Sequence, residues 1–193
     1  MKILYIHGFN SSPISAKVKM LNLQFADAEI IAPSHSSRAK DVYELIDPIV
    51  KNLYPSEAII VGTSLGGFWA NYFACKYRIP SVIINPAITP ATTLQKYIGD
   101  YVNSDSHKKY KWSDSNCQEY KQYQEETTAL NDVQRIVLLA KDDDVISIGP
   151  AIDKYSNVAE VKIFESGGHI FSDVSSLNEI QKAIKKLYYT III

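Results

Sequence analysis

Ala58-Ile59-Ile60-Val61-Gly62-Thr63-Ser64-Leu65-Gly66-Gly67-Phe68 decides how this chain folds. A continuous apolar run ends in Gly62-Thr63-Ser64-Leu65-Gly66, and a helix-like stretch begins at once. The run has no polar alternation, so it predicts a strand buried on both faces. The glycine-x-serine-x-glycine spacing then predicts a sharp strand-to-helix turn with Ser64 at its tip. Side chains at Gly62 or Gly66 would collide with neighbouring backbone, which is why those positions need glycine. A competing reading is a glycine-rich turn that holds an anion at a helix N-terminus. The strand before and the helix after favour the nucleophile.

A serine hydroxyl is a poor nucleophile at neutral pH and needs a base, which needs an orienting acid. Four histidines compete for the first role. His169 follows Gly167-Gly168 and an apolar run at 161–164, and precedes the last helical stretch. It is the expected base. His7, in His7-Gly8 at the end of the first apolar run, suits shaping the loop that binds an oxyanion. His35 lies in Ser34-His35-Ser36-Ser37 and His107 in a polar stretch, and both are expected to be solvated. The acid comes from Asp142-Asp143-Asp144, which follows the apolar run 136–140. Asp142 has Val145 three positions later and Asp143 has Ile146, so spacing alone leaves the two tied. Nothing there has the ligand pattern of an EF-hand calcium loop, and no metal is expected. The order serine, acid, histidine is that of the α/β-hydrolase fold.

Outward from the elbow, apolar runs at 3–6, 82–84 and 136–140 read as further buried parallel strands, with 29–32 and 161–164 as additional ones. Helical stretches fall near 15–25, 39–53, 65–77 and 175–188. Strands alternating with helices predict α/β architecture, a mostly parallel central sheet with helices on both faces. The chain of 193 residues is expected to form one domain over 1–193. The rhythm breaks once, at about 87–133, where a polar, tyrosine-rich segment is expected to form a partly helical cap. Its tyrosines are expected mainly to cover surface, with some aromatic residues lining a pocket. Ser11 and Ser12 are expected to cap the helix that begins near Ser15. Lys108, Lys109 and Lys111 read as a solvated charged face. The apolar tail 187–193 is expected to pack within the monomer, with a homodimer as the alternative.

The chain is 46% hydrophobic and 21% charged with a net charge of −1, which gives no electrostatic reason to expect nucleic acid or an acidic membrane surface as partner. No run approaches a membrane span, and the N-terminal run is too short for a secretion signal. Cys75 and Cys117 have no metal-ligand spacing and read as free thiols. A cytoplasmic location is expected.

His7-Gly8-Phe9-Asn10-Ser11-Ser12-Pro13, with Ser15-Ala16-Lys17 after it, resembles the YqiA-type esterases, small bacterial α/β-hydrolases. The likeness continues at 61–68, at Asn85-Pro86-Ala87, at Asp143-Asp144-Val145 and at Gly167-Gly168-His169-Ile170-Phe171. It fades from about 103 to 129. The resemblance implies hydrolysis of carboxylic esters or acyl thioesters of small molecules, without a cofactor. Carried over by position, it implies Ser64 as nucleophile, Asp143 as acid and His169 as base, and so separates Asp143 from Asp142. The oxyanion is then expected on the backbone N–H groups of Leu65 and Phe9. A thioesterase or peptidase on the same three residues is the alternative, and a binding protein of this fold without turnover is another.

Overall fold

The computed structural model describes residues 1–127 and 133–191. Six strands form one parallel sheet: β1 (Lys2–Ile6), β2 (Glu29–Ile31), β3 (Ala58–Thr63), β4 (Ser81–Ile84), β5 (Arg135–Ala140) and β6 (Glu160–Phe164). Their order across the sheet is β2-β1-β3-β4-β5-β6. The register is continuous: Tyr5 lies opposite Val61, Val61 opposite Val82, and Val82 opposite Ile136. β3 and β5 are buried at every position, which is why their sequences are apolar without alternation. β2 and β6 are the edges and are only partly buried.

The twofold alternation of side chains still divides this sheet into two faces. Ile3, Tyr5, Ile59, Val61, Val82, Ile84, Ile136 and Leu138 pack with α1 (Ala16–Gln24) and the long C-terminal helix α8 (Val174–Ile191). Leu4, Ile6 and Ile60 point the other way, against α2 (Ala39–Lys51) and α3 (Leu65–Tyr77). On that second face α7 (Gly149–Tyr155) covers Ile83, Val137 and Leu139. Each of these aliphatic side chains contributes about 1.5–3 kcal/mol by leaving water. The expected architecture, a parallel sheet between two helical layers, is therefore the observed one. The helix α7 between β5 and β6 was not expected.

Between β4 and β5 the chain forms two short helical pieces, α4 (Pro90–Thr93) and a 3-10 turn (Leu94–Tyr97), then an antiparallel hairpin and two further helices. The hairpin strands are β′ (Gly99–Val102) and β″ (Lys109–Trp112), and the helices are α5 (Asp114–Gln118) and α6 (Tyr120–Glu126). The expected cap at about 87–133 includes residues 128–132, which lie outside the described residues. Its aromatic residues depart from the surface role expected of most of them. Trp112 and Tyr120 are fully buried and Tyr123 nearly so. The two tyrosines close on Trp69 of α3, Tyr123 at 4.9 Å between ring centroids and Tyr120 at 5.7 Å. The Tyr120 hydroxyl donates to the Ser37 carbonyl at 2.7 Å. Lys108, Lys109 and Lys111 are exposed.

One smaller expectation changes, and one holds over the described part of the tail. The cap of α1 is Ser15, whose hydroxyl accepts from the Val18 N–H at 3.3 Å, while Ser12 accepts from Ile14 two residues on. At the C-terminus Leu187 is buried in the core and Tyr188 and Ile191 pack beside it, whereas Tyr189 is exposed. Residues 192–193 of the apolar tail lie outside the described residues. Among the described residues, no helix is long and apolar enough to cross a membrane. Cys75 and Cys117 are both buried and are not joined in a disulfide.

Candidate active site

Parallel strands end together, so the loops that follow β1, β3, β4, β5 and β6 gather at one edge of the sheet. Every residue singled out for chemistry sits there. Ser64 links β3 to α3 with φ 58° and ψ −120°, a strained conformation for a residue with a side chain. Its carbonyl accepts from the N–H groups of Gly67, Phe68 and Ala87, and its own N–H donates to Ile84. These bonds hold the turn against its strain. A Cβ at Gly66 would stand 2.0 Å from the Ile6 carbonyl oxygen, and one at Gly62 would stand 2.1 Å from that of Gly66. The two glycines therefore let α3 start directly against β1.

His169 and Asp143 meet across the ends of β5 and β6. The imidazole Nδ1 lies 2.8 Å from one carboxylate oxygen of Asp143 and 3.0 Å from the other. The Asp143 side chain is 1% exposed. One of its oxygens also accepts from the N–H groups of Val145 and Ile146, both at 2.8 Å. A carboxylate fixed by two amides offers a rigid acceptor, so the proton rests on Nδ1 and Nε2 is left with its lone pair.

Asp142 has a separate partner set. It accepts from Gly168 N–H at 2.8 Å and Gly167 N–H at 3.3 Å. It thus ties down the loop that carries His169, while the imidazole Nδ1 is held by Asp143. Asn85, at φ 40°, holds the same loop from the other side. Its amide donates to the carbonyls of Gly168 and His169 and its oxygen accepts from Ala140 N–H. Phe171, fully buried, is the apolar anchor beyond. Sequence reading had no role for Asn85. Its place just after an expected strand was the available signal.

Ser64 and His169 both line one cavity of about 390 Å³, together with Gly8, Phe9, Thr93, Leu94, Tyr97, Val145 and Ile146. Phe9 is held by aromatic contacts to Tyr97, Tyr101 and Trp112 at 5.0–5.4 Å. The Gly8 carbonyl lies 3.1 Å from His7 Nδ1 and accepts from Ser11 N–H at 3.3 Å. Because a trans peptide directs its carbonyl and N–H oppositely, these bonds also orient the N–H of Phe9. Leu65 is the first residue of α3, so helix geometry gives its N–H no carbonyl one turn back.

The histidines divide differently from expectation. His107 is exposed. His35 is not solvated: it is 7% exposed and stacks on the buried His7, with ring centroids 3.6 Å apart and planes within 1°. Its backbone N–H donates to His7 Nε2 and its ring Nδ1 lies 2.7 Å from the Ser36 carbonyl. Both rings are thereby neutral with the proton on Nδ1. Burial, then the adjacent His7, pushes His35 down to about 3, and burial lowers His7 as well. Neither is suited to exchange protons at neutral pH. A further titratable group went unnoticed in the sequence: Lys17, 3% exposed, lines the cavity. Among the described residues no group of three or more histidine, cysteine or carboxylate side chains could hold a metal ion.

The profile of the uncharacterised protein family UPF0227 matches residues 2–187. The chain belongs to that family. The resemblance read from 7–13 and the later motifs leads to the same group. A UPF0227 relative from Shewanella woodyi is 29% identical over 189 residues, covering 95% of this chain and 99% of its own. Among solved structures, mouse alpha/beta hydrolase domain-containing protein 10 superposes with a TM-score of 0.76 at 15% identity, covering 98% of this chain and 90% of its own. Est1E from Butyrivibrio proteoclasticus gives 0.71 at 13% identity, with 99% and 88% covered. At such identities the likeness is one of fold, and that fold is the α/β-hydrolase fold.

Proposed function

We propose that this UPF0227 chain is a serine hydrolase that cleaves carboxylic esters of small molecules through an acyl-enzyme on Ser64. The observation that carries the reading is one constellation. A serine on a strained elbow and a histidine paired to a buried carboxylate line the same cavity. In this reading His169 Nε2 takes the Ser64 proton as the hydroxyl attacks the acyl carbonyl. Asp143 keeps the other proton on Nδ1 and stabilises the imidazolium that forms. The N–H groups of Leu65 and Phe9 receive the oxyanion, each worth about 3 kcal/mol in the transition state. His169 then protonates the leaving alkoxide, and water repeats the sequence on the acyl-enzyme. The described part of segment 87–133 acts as the cap, a role supported by Thr93, Leu94 and Tyr97 in the cavity wall.

Intact-mass spectrometry after treatment with a fluorophosphonate tests the reading. Wild type is expected to gain one phosphonyl adduct and Ser64→Ala none. Folded wild type that stays unmodified would overturn it and favour a binding protein of this fold.

A further inference from the structure

Lys17 is the one formal cation in the wall of the cavity, and no aspartate or glutamate lines that cavity among the described residues. It comes from the first turn of α1, whose N-terminal end carries the positive pole of the helix and no acidic residue. A lysine there is opposed by the helix as well as by burial. No ion pair or hydrogen bond offsets this among the described residues, and burial alone brings its ammonium down to about 8. An ammonium withdrawn from water without a partner is costly. Such a group is tolerated where it meets an anion that comes and goes. The rest of the wall is uncharged apart from the imidazole of His169: Phe9, Ala87, Leu94, Val145, Ile146 and Ile170 are apolar, and Asn10, Ser11, Thr63, Ser64, Thr93 and Tyr97 add neutral polar groups.

We infer that the ester accepted by this site carries a carboxylate, and that the Lys17 ammonium is its counter-ion. The inference rests on the hydrolase reading above and adds the substrate class to it. One lysine matches one negative charge; a dianionic phosphate would leave a second charge with no second lysine or arginine in the wall to meet it. The substrate is thus a half-ester of a dicarboxylic acid, or an ester whose alcohol part carries the carboxylate.

The test compares two pairs of substrates at pH 7. One is 4-nitrophenyl hydrogen adipate against its methyl-capped form. The other is 4-acetoxybenzoate against methyl 4-acetoxybenzoate. In wild type at least one pair is expected to favour the carboxylate by about ten-fold or more in kcat/KM. Lys17→Met is expected to bring that ratio to about one or below, and Lys17→Gln to act likewise should the methionine variant fold poorly. Lys19→Met, changing an exposed lysine of the same helix, is expected to keep the wild-type ratio. Ratios of one or less in both wild-type pairs, or a ratio unchanged by both Lys17 substitutions, would overturn the inference. Failure of the hydrolase reading looks different, since wild type would then turn over none of the four esters. In that event calorimetry on Ser64→Ala with monomethyl adipate and 4-hydroxybenzoate decides. Binding lost on adding Lys17→Met supports the carboxylate site, and no binding or unchanged binding rejects it.

Discussion

Asp142 and Asp143 are adjacent, carry the same charge and accept from different groups. Asp143 takes the imidazole N–H and two amides of its own loop, whereas Asp142 takes the amides of Gly167 and Gly168. Replacing each by asparagine therefore separates chemistry from support. Asp143→Asn is expected to lower kcat about 10⁴-fold, because an amide no longer fixes the proton on Nδ1. Asp142→Asn is expected to cost about ten-fold or less in kcat, with roughly 1–2 kcal/mol of stability from the weakened loop anchor. Steady-state kinetics beside urea unfolding measures both, and a larger loss of kcat in Asp142→Asn would exchange the roles. The spacing of the run could not separate these carboxylates, since each has an apolar residue three positions on. What distinguishes them is backbone direction, which a sequence does not carry. Lys17 and His35 were illegible for a related reason. A polar residue in an otherwise ordinary stretch reads as solvated until its neighbours are known.

At the scale of elements, the elbow depends on how closely α3 approaches β1. In Gly66→Ala the added carbon would overlap the carbonyl oxygens of Ile6 and His7 at 2.0 and 2.6 Å. Both belong to backbone, which cannot swing aside as a side chain can. The helix must retreat, and the expected cost is about 3–5 kcal/mol with loss of fluorophosphonate labelling. Gly149→Ala, at the start of α7 with only the Ser147 hydroxyl nearby at 3.8 Å, is expected to change stability by under about 1 kcal/mol. Urea midpoints compare the two, and a wild-type midpoint for Gly66→Ala would mean that the close approach is not required. The same strands that make the elbow were readable because burial on both faces removes polar residues from them. The hairpin Gly99–Val102 with Lys109–Trp112 was missed, although its inward residues do alternate with exposed ones. Four-residue strands give too few repeats for a period to stand out. α7 opens with Gly149-Pro150, two residues that read as a turn and that here serve as a helix start.

For the whole molecule, the buried bases set how stability follows pH. The slope of unfolding free energy with pH is positive wherever the unfolded chain binds more protons than the folded one. Lys17 sits at about 8 in the folded protein against 10.5 in an exposed lysine. Between those values the unfolded chain holds a proton that the native one has released, so stability rises with pH. Below about 8 the buried ammonium lowers stability by roughly 3 kcal/mol. His35 sits at about 3 against 6.5. Its protonated form would have to place an Nε2–H, unpartnered among the described residues, beside the His7 ring. Between those values stability again rises with pH and is lost as acid is added, by roughly 4 kcal/mol at the lower end. The stability curve is therefore expected to climb in two separate windows, one acidic and one alkaline. Denaturant melts from pH 3 to 10.5 read this directly. Lys17→Met should raise the midpoint at pH 7 and flatten the alkaline window, and His35→Phe should flatten the acidic one. A Lys17→Met variant with the wild-type alkaline slope would mean that the native ammonium is in water, and the carboxylate site would lose its physical ground along with it.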